Sequence, residues 1–152
     1  MANVRSILEA KGRDVYGVDP DAAVIVALGI MAERNIGAIM VMDKAGEVAG
    51  IFSERDFARK IIVKGRTCET TKVREIMTAR VVYAEPSTTI ADCMNLMTAH
   101  KIRHLPVKEA GTVVGVISIG DVVKALIDEQ GRIISQQAFE IGQNERTSPG
   151  AI

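Results

Sequence analysis

The sequence predicts an α/β (α+β) chain made of two tandem β-α-β-β-α repeats. Residues of similar type recur 65 or 66 positions apart through most of the 152 residues. Within each copy the apolar period changes from strand to helix and back in the same order. A unit of about 60 residues buries too little surface to be comfortably stable alone. We therefore expect the copies to pack sheet to sheet with pseudo-twofold symmetry and to share one core.

The repeat is clearest between VDPDAAVIVALGIMAERNIGAIMV and YAEPSTTIADCMNLMTAHKIRHLPV. Pairs at an offset of 66 are Pro20 and Pro86, Leu28 and Met94, Met31 and Met97, Ile36 and Ile102, and Val41 and Val107. After a one-residue slip the offset is 65, and the pairs are Gly50 and Gly115, Ser53 and Ser118, and Asp56 and Asp121. One structural unit therefore occurs twice.

The elements of copy one follow from its apolar periods. Residues 16–18 form a short β-prone run, and helical spacing then begins at Val24, with Asp21 as the expected cap. Two apolar runs at 36–42 and 48–52 flank a glycine turn, which predicts a hairpin. A second helix is predicted to begin after Ser53.

Copy two repeats this order. Residues 81–83 are the expected first strand, Ser87 the expected cap of the first helix, and 104–107 and 113–117 the expected hairpin strands. The last helix is predicted to begin after Ser118.

The predicted domain limits follow from these elements and from the polar stretch between the copies. They are an N-terminal helix within 1–10, repeat one at 11–64, a linker and entry to repeat two at 65–78, repeat two at 79–130, and the end of the C-terminal helix with a flexible tail at 131–152. The tail is expected to be disordered from Gln143 onward.

Composition excludes several classes of function. The 19 basic and 19 acidic side chains cancel, which argues against a general binder of nucleic acid or of acidic membranes. No apolar run reaches the roughly 20 residues of a membrane helix, and no signal peptide is visible, so a cytoplasmic protein is expected. Two cysteines cannot build a disulfide framework, and no convincing set of metal ligands is present.

The sharpest motif is the doubled string GIFSERD at 50–56 and GVISIGD at 115–121, at each predicted strand-to-helix junction. One interpretation is a capping box, in which the serine caps the helix and the acid bonds back to it. The other is a nucleotide site. A helix N-terminus and a serine hydroxyl suit a phosphate, and a carboxylate one turn later can accept hydrogen bonds from a ribose diol. Both interpretations stay open on the motif alone.

The arrangement as a whole resembles the cystathionine-β-synthase (CBS) domain family over roughly residues 11–130. It is most similar to free-standing bacterial CBS pairs, through SERDFARK at 53–60, REIMT at 74–78, IRHLPV at 102–107 and SIGDVVK at 118–124. The resemblance implies a non-catalytic regulatory module that binds an adenine nucleotide (AMP, ADP, ATP or NAD) in clefts between the copies. It also implies a homodimer with a downstream protein partner that the sequence does not name.

Carried over residue by residue, the resemblance implies two sites. The residues of site 1 are Ser53, Arg55, Asp56, Ala79, Arg80, Val81, Arg103 and His104. Those of site 2 are Gly12, Arg13, Asp14, Val15, Gly37, Ala38, Ser118, Gly120 and Asp121. In each site the aspartate would hold the ribose and the serine would cap the phosphate.

The two sites are not expected to be equivalent. Arg103 and His104 would face the phosphates in site 1, whereas the matching positions Gly37 and Ala38 carry no charge. Arg55 is either part of a solvated helix face or a phosphate clamp.

The sequence contains no P-loop, nucleophile elbow or other enzyme signature, so no catalytic residue and no catalytic cofactor are expected. The alternative to a nucleotide sensor is a structural dimerisation or adaptor module that binds no ligand.

Overall fold

The computed structural model describes residues 2–147, and the side chains of residues 2–141. Its helices are α1 (Val4–Lys11), α2 (Val24–Arg34), the short α3 (Glu54–Asp56), α4 (Ile90–His100) and α5 (Ile119–Thr147). A π-helical segment, Phe57–Ile62, continues α3, and a 3-10 turn covers Val73–Glu75. The strands are β1 (Gly17–Val18), β2 (Ala38–Met42), β3 (Val48–Ser53), β4 (His104–Glu109) and β5 (Thr112–Ser118).

Each copy has its own small sheet, which confirms the predicted α/β class and the two hairpins. In copy one, β1 runs parallel to β2, and β2 runs antiparallel to β3. In copy two, β4 and β5 are antiparallel, and the predicted first strand at 81–83 is reduced to a single parallel bridge between Ala84 and Val107. That bridge lies 66 residues after the pairing of Val18 with Val41, so the register of the sheet is repeated as well.

The buried apolar side chains form two clusters, so the expectation of one shared core is wrong. The cluster of copy one contains Val18, Val24, Ala27, Met31, Ile39, Val41, Phe52, Ile61, Val73 and Ile76. The cluster of copy two contains Val4, Ile7, Leu8, Ala84, Ile90, Cys93, Met97, Leu105, Val107, Ile117 and Val122. Each copy can have its own core because the segment that precedes the other copy covers it.

This exchange of entry segments follows the repeat. The helix α1 precedes copy one but packs into copy two, where the Val4 amide donates to the Thr88 carbonyl at 2.9 Å. The end of the predicted linker precedes copy two but packs into copy one, where the Val73 amide donates to the Ala22 carbonyl at 2.9 Å. The last part of the predicted linker is therefore core structure.

Two strand glycines permit this close packing. A Cβ on Gly50 would lie 2.6 Å from the Thr78 carbonyl oxygen, and a Cβ on Gly115 would lie 2.6 Å from Cδ2 of Leu8. Both contacts are too short for a side chain, so each strand approaches the exchanged segment only because it carries glycine there.

The helix ends differ from the predictions in three places. Neither Asp21 nor Ser87 caps its helix: α2 starts after Ala23 without a side-chain cap, and Thr89 caps α4 by accepting from the Asp92 amide. The flexible tail expected from Gln143 is wrong for residues 143–147, because α5 continues to Thr147. Apolar side chains at helical spacing continue well past residue 130 and support that extension. Residues 148–152 lie outside the described part.

Candidate ligand site between the two copies

Both serine-aspartate motifs form capping boxes. In copy one the Asp56 amide donates to Ser53 Oγ at 3.3 Å, and the Ser53 amide donates to Asp56 Oδ2 at 3.0 Å. In copy two the Asp121 amide donates to Ser118 Oγ at 3.2 Å, and the Ser118 amide donates to Asp121 Oδ2 at 2.8 Å. The capping interpretation is therefore confirmed in both copies. Any role in binding depends on the carboxylate oxygen that the cap leaves unused.

In copy one that second oxygen is already bonded. Thr78 Oγ1 donates to Asp56 Oδ1 at 3.1 Å, and Lys60 Nζ lies 2.9 Å from the same oxygen. The side chain of Asp56 is only 10% exposed. Lys60 also donates to the Ile76 carbonyl at 3.0 Å, so the group ties the closing helix of copy one to the segment that enters copy two. In this arrangement Asp56 is a structural residue.

In copy two the carboxylate is more open. Lys11 Nζ donates to Asp121 Oδ2 at 2.8 Å and to the Val116 carbonyl at 2.8 Å. Within residues 2–147, the hydrogen bonds to this carboxylate reach only Oδ2, and the side chain is 24% exposed. Partial burial raises the pKa of Asp121, but hydrogen bonds from Lys11 and from the Ser118 amide outweigh burial and hold the pKa below its usual value. Asp121 is thus an ionised acceptor with one free oxygen.

Asp121 lies in a cavity of about 320 Å³ between the copies. Copy two and α1 contribute Lys11, His104, Val116, Ser118 and Asp121. Copy one and the segment leading into it contribute Asp14, Tyr16, Asn35, Ile36, Gly37, Ala38, Ile39, Met40 and Ile51. Small-molecule sites typically start at about 300 Å³ and combine apolar walls with a few polar groups, as this cavity does.

The cavity brings together much of predicted site 2. Asp14, Gly37, Ala38, Ser118 and Asp121 all line it. The remaining members of that site, which do not line it, are Gly12, Arg13, Val15 and Gly120. Gly12 instead ends α1, where its positive φ of 102° allows the chain to turn.

His104, predicted for site 1, lies in this same cavity. It is the first residue of β4 and pairs in register with Ser118. Its Nε2 atom lies 3.0 Å from the point where a Cβ on Gly37 would be, so Gly37 leaves the space that the imidazole occupies. Burial lowers the pKa of His104, with Lys11 and Arg103 acting in the same direction and Glu54 and Asp121 opposing it. The imidazole is therefore mainly neutral at pH 7.

Arg55 and Arg103 are brought together, but elsewhere. They line a second cavity of about 210 Å³, together with Lys101 and with apolar side chains of α4. The Arg55 guanidinium donates to the Lys101 carbonyl at 2.7 Å. Neither Ser53 nor Asp56 lines this cavity. Ala79 and Arg80 are exposed and Val81 is half-buried, and none of the three lines either cavity. The structure therefore does not gather the predicted site 1 residues around one cleft.

Sequence reasoning missed several residues of the main cavity, above all Lys11. A signal for it was present, because RSILEAK at 5–11 aligns with REIMTAR at 74–80 at an offset of 69. In that alignment Lys11 matches Arg80, which had been assigned to site 1. The apolar lining residues Met40, Ile51 and Val116 carry no motif and could be found only from the packing.

Residues 2–147 contain no group of three His, Cys, Asp or Glu side chains placed to hold a metal ion. Over the same residues, no helix has both the length and the apolar character needed to cross a membrane.

Comparisons with known proteins agree with this architecture. The CBS domain model matches residues 4–63 and 73–128. A CBS-domain protein from Burkholderia ambifaria MC40-6 has a similar structure, with a TM-score of 0.81 and 48% identity over 85% of this chain and 96% of that one. The Arabidopsis thaliana protein "CBS domain-containing protein CBSX3, mitochondrial" is 39% identical over 135 residues, which are 83% of this chain and 65% of that protein.

A more distant neighbour shows the same fold with ligands. The CBS domain pair of protein MJ0100, solved in complex with 5'-methylthioadenosine and S-adenosyl-L-methionine, has a TM-score of 0.75 and 22% identity over 85% of this chain. At that identity the likeness concerns the fold alone. The same structural unit occurs twice in the chain, as shown by the two matched segments, the repeated sheet register and the two capping boxes. The chain belongs to the CBS domain family, as a tandem pair of CBS domains.

Proposed function

We propose that this CBS pair is a non-catalytic regulatory module that binds an adenine nucleotide in the cavity beside Asp121. The single observation that carries the proposal is the free Oδ1 of an ionised carboxylate in a cavity lined by both copies. A ribose diol supplies two O–H groups, which can donate hydrogen bonds to this carboxylate. Hydrogen bonds to charged groups contribute more than those between neutral groups.

The rest of the cavity suits the other parts of a nucleotide. Ile51 and Val116, which are half-buried and line the cavity, offer an apolar wall for a purine ring. Lys11 and His104 supply nitrogen donors for a phosphate, and Ser118 caps α5, whose N-terminus carries the positive end of the helix dipole. The adenosine ligands of the MJ0100 pair support an adenosine compound as the class of ligand. Within that class we expect AMP, ADP, ATP or NAD.

Occupancy would act on the arrangement of the two copies. The cavity has walls from both, so a ligand that contacts both walls favours the arrangement in which they are close. We propose that this shift, in a homodimer, is what a downstream protein partner recognises. No covalent change of the ligand is required.

Isothermal titration calorimetry of the full chain tests the proposal, with AMP, ATP, NAD and 5'-methylthioadenosine as separate titrants. The Asp121→Asn variant should lose roughly tenfold to a hundredfold in affinity for the ligand that binds, because a charge-assisted hydrogen bond is worth about 1.5–3 kcal/mol. Asp128→Asn, on α5 but outside the cavity, is the matched control and should bind as the wild type does. Unchanged affinity in Asp121→Asn would exclude Asp121 from the site.

The second candidate function is a structural dimerisation or adaptor module without a ligand. One observation favours it: both serine-aspartate motifs are satisfied as helix caps, so neither needs a ligand to explain it. Absence of binding heat for every titrant would select this alternative over the sensor.

A further inference from the structure

The second half of α5 extends beyond the CBS pair. The second CBS match ends at residue 128, whereas α5 continues to Thr147. Every side chain from residue 130 to residue 141 is exposed. Helices in proteins owe most of their stability to an apolar face packed against something else. Residues 130–141 have no such packed apolar face against the rest of the described chain.

Three exposed isoleucines of α5 lie along one line, whereas Phe139, which is 67% exposed, lies on the other side of the helix. Ile127, Ile134 and Ile141 are seven residues apart and are 63%, 64% and 58% exposed. Gln130 and Gln137 each follow an isoleucine by three residues, and Val123, 38% exposed, continues the line toward the N-terminus of α5. We call this line the isoleucine stripe. A repeat of seven with alternating steps of three and four is the period at which two helices wrap around each other.

We propose that the isoleucine stripe pairs with the same stripe of a second copy of this chain, as a parallel, in-register, two-stranded coiled coil. In a parallel pair, each position of the seven-residue repeat faces its own counterpart. Isoleucine then packs on isoleucine. Each glutamine faces a glutamine, and the two amides can donate to and accept from each other. An antiparallel pair would place isoleucine opposite glutamine in every layer.

The residues beside the stripe fit a second copy as well. Leu126, Ile133 and Glu140 flank it on one side, and Lys124, Gly131 and Ala138 flank it on the other. The charges therefore stand at the two ends of these rows, and the four central flanking positions carry none that would repel an identical helix. Pairing would remove on the order of 1,000 Å² of apolar surface from water over both chains. The glutamines add to this and bring the total toward the 1,200–2,000 Å² of a stable interface.

This proposal does not depend on the ligand site, because the stripe lies outside the cavity and most of it lies beyond residue 128, where the CBS match ends. It also differs from a dimer formed through the faces of the two CBS copies. Its test therefore has to report on α5 alone.

Disulfide cross-linking of the full chain provides that test. The background carries Cys68→Ser, and Cys93 can stay, because it is buried and burial raises the pKa of its thiol to about 11. Gln137→Cys places a thiol on the stripe, and Gln136→Cys places one on the neighbouring outer face as the matched control. Under mild oxidation at micromolar concentration, Gln137→Cys should form a covalent dimer at least tenfold faster than Gln136→Cys.

A second variant identifies what holds the helices together. Adding Ile134→Asp to Gln137→Cys should reduce cross-linking to the rate of the control, because two carboxylates would then face each other in the pair. The melting temperature of the reduced monomer should stay near that of the parent, because Ile134 is exposed. Equal rates for Gln136→Cys and Gln137→Cys, or a rate unaffected by Ile134→Asp, would overturn the proposal. Cross-linking of Gln137→Cys chains only with chains that carry Ile127→Cys or Ile134→Cys would overturn the parallel arrangement.

Discussion

Copy one and copy two contain the same capping box, yet their aspartates have different surroundings. Asp56 is bonded through both oxygens and nearly buried, whereas Asp121 keeps one oxygen free beside a cavity. The repeat explains the difference. Thr78 and Lys60, which occupy Asp56 Oδ1, match Glu9 and Ala125 in copy two. Residues outside the motif therefore decide whether the aspartate supports the fold or remains available to a ligand.

The largest expected effect on stability is that of Asp56→Ala. It removes the cap and leaves the Thr78 hydroxyl and the Lys60 ammonium without their shared acceptor. We expect a loss of about 3 kcal/mol in the free energy of unfolding. Asp121→Ala loses a cap and a more exposed ion pair, for about 1 kcal/mol. Urea unfolding of both variants measures the difference. Equal losses would mean that the two carboxylates contribute equally to the free energy of unfolding.

The strand glycines provide a second contrast between the copies. A Cβ on Gly50 meets a backbone oxygen, which cannot move without displacing the chain, whereas a Cβ on Gly115 meets the side chain of Leu8, which can rotate. We expect Gly50→Ala to cost about 2–3 kcal/mol and Gly115→Ala about 1 kcal/mol. Thermal and urea unfolding test this order. A larger loss for Gly115→Ala would show that Leu8 is held rigidly.

Much of this fold could be predicted from local patterns in the sequence. The hairpins, the main helices and the duplication all follow from apolar periods and from the offsets of 65 and 66. The exchange of entry segments could not be predicted that way. It depends on which surface α1 meets in space, and two copies of the same unit offer α1 two similar surfaces.

The candidate site shows the same limit. The sequence identified Ser118 and Asp121 through a motif, but the motif is equally a cap, and only the packing shows which carboxylate oxygen is free. The resemblance implied site 1 for His104, whereas in the structure His104 lines the cavity that contains Asp121 of site 2. Its counterpart in the repeat, Ala38, lines the same cavity.

A smaller difference is expected between Lys11 and its counterpart Arg80. Lys11 bonds to Asp121 and to the Val116 carbonyl, while Arg80 is exposed. Because Lys11 is itself partly exposed, water screens this ion pair, and we expect Lys11→Met to lower the free energy of unfolding by only about 0.5–1 kcal/mol. Arg80→Met is the control, with an expected change within about 0.5 kcal/mol. High salt should reduce the effect of Lys11→Met. If Arg80→Met proves as costly, Lys11 has no special role.

The smallest expected effect concerns the pH dependence that His104 adds where copy one has Ala38. Burial lowers the pKa of His104 in the folded chain below the value of about 6.5 that it has when unfolded. The unfolded chain then binds more protons as pH falls through 6.5, so the stabilisation from neutral His104 is complete above that pH and decreases below it.

The variant that tests this has to leave in place the four charged groups that also act on the pKa of His104, which are Glu54, Lys11, Asp121 and Arg103. His104→Gln does so. Between pH 7.5 and 5.5, the wild type should lose more stability than His104→Gln, measured as the difference between their urea midpoints. Parallel pH profiles would show that His104 takes up its proton equally in the folded and unfolded states.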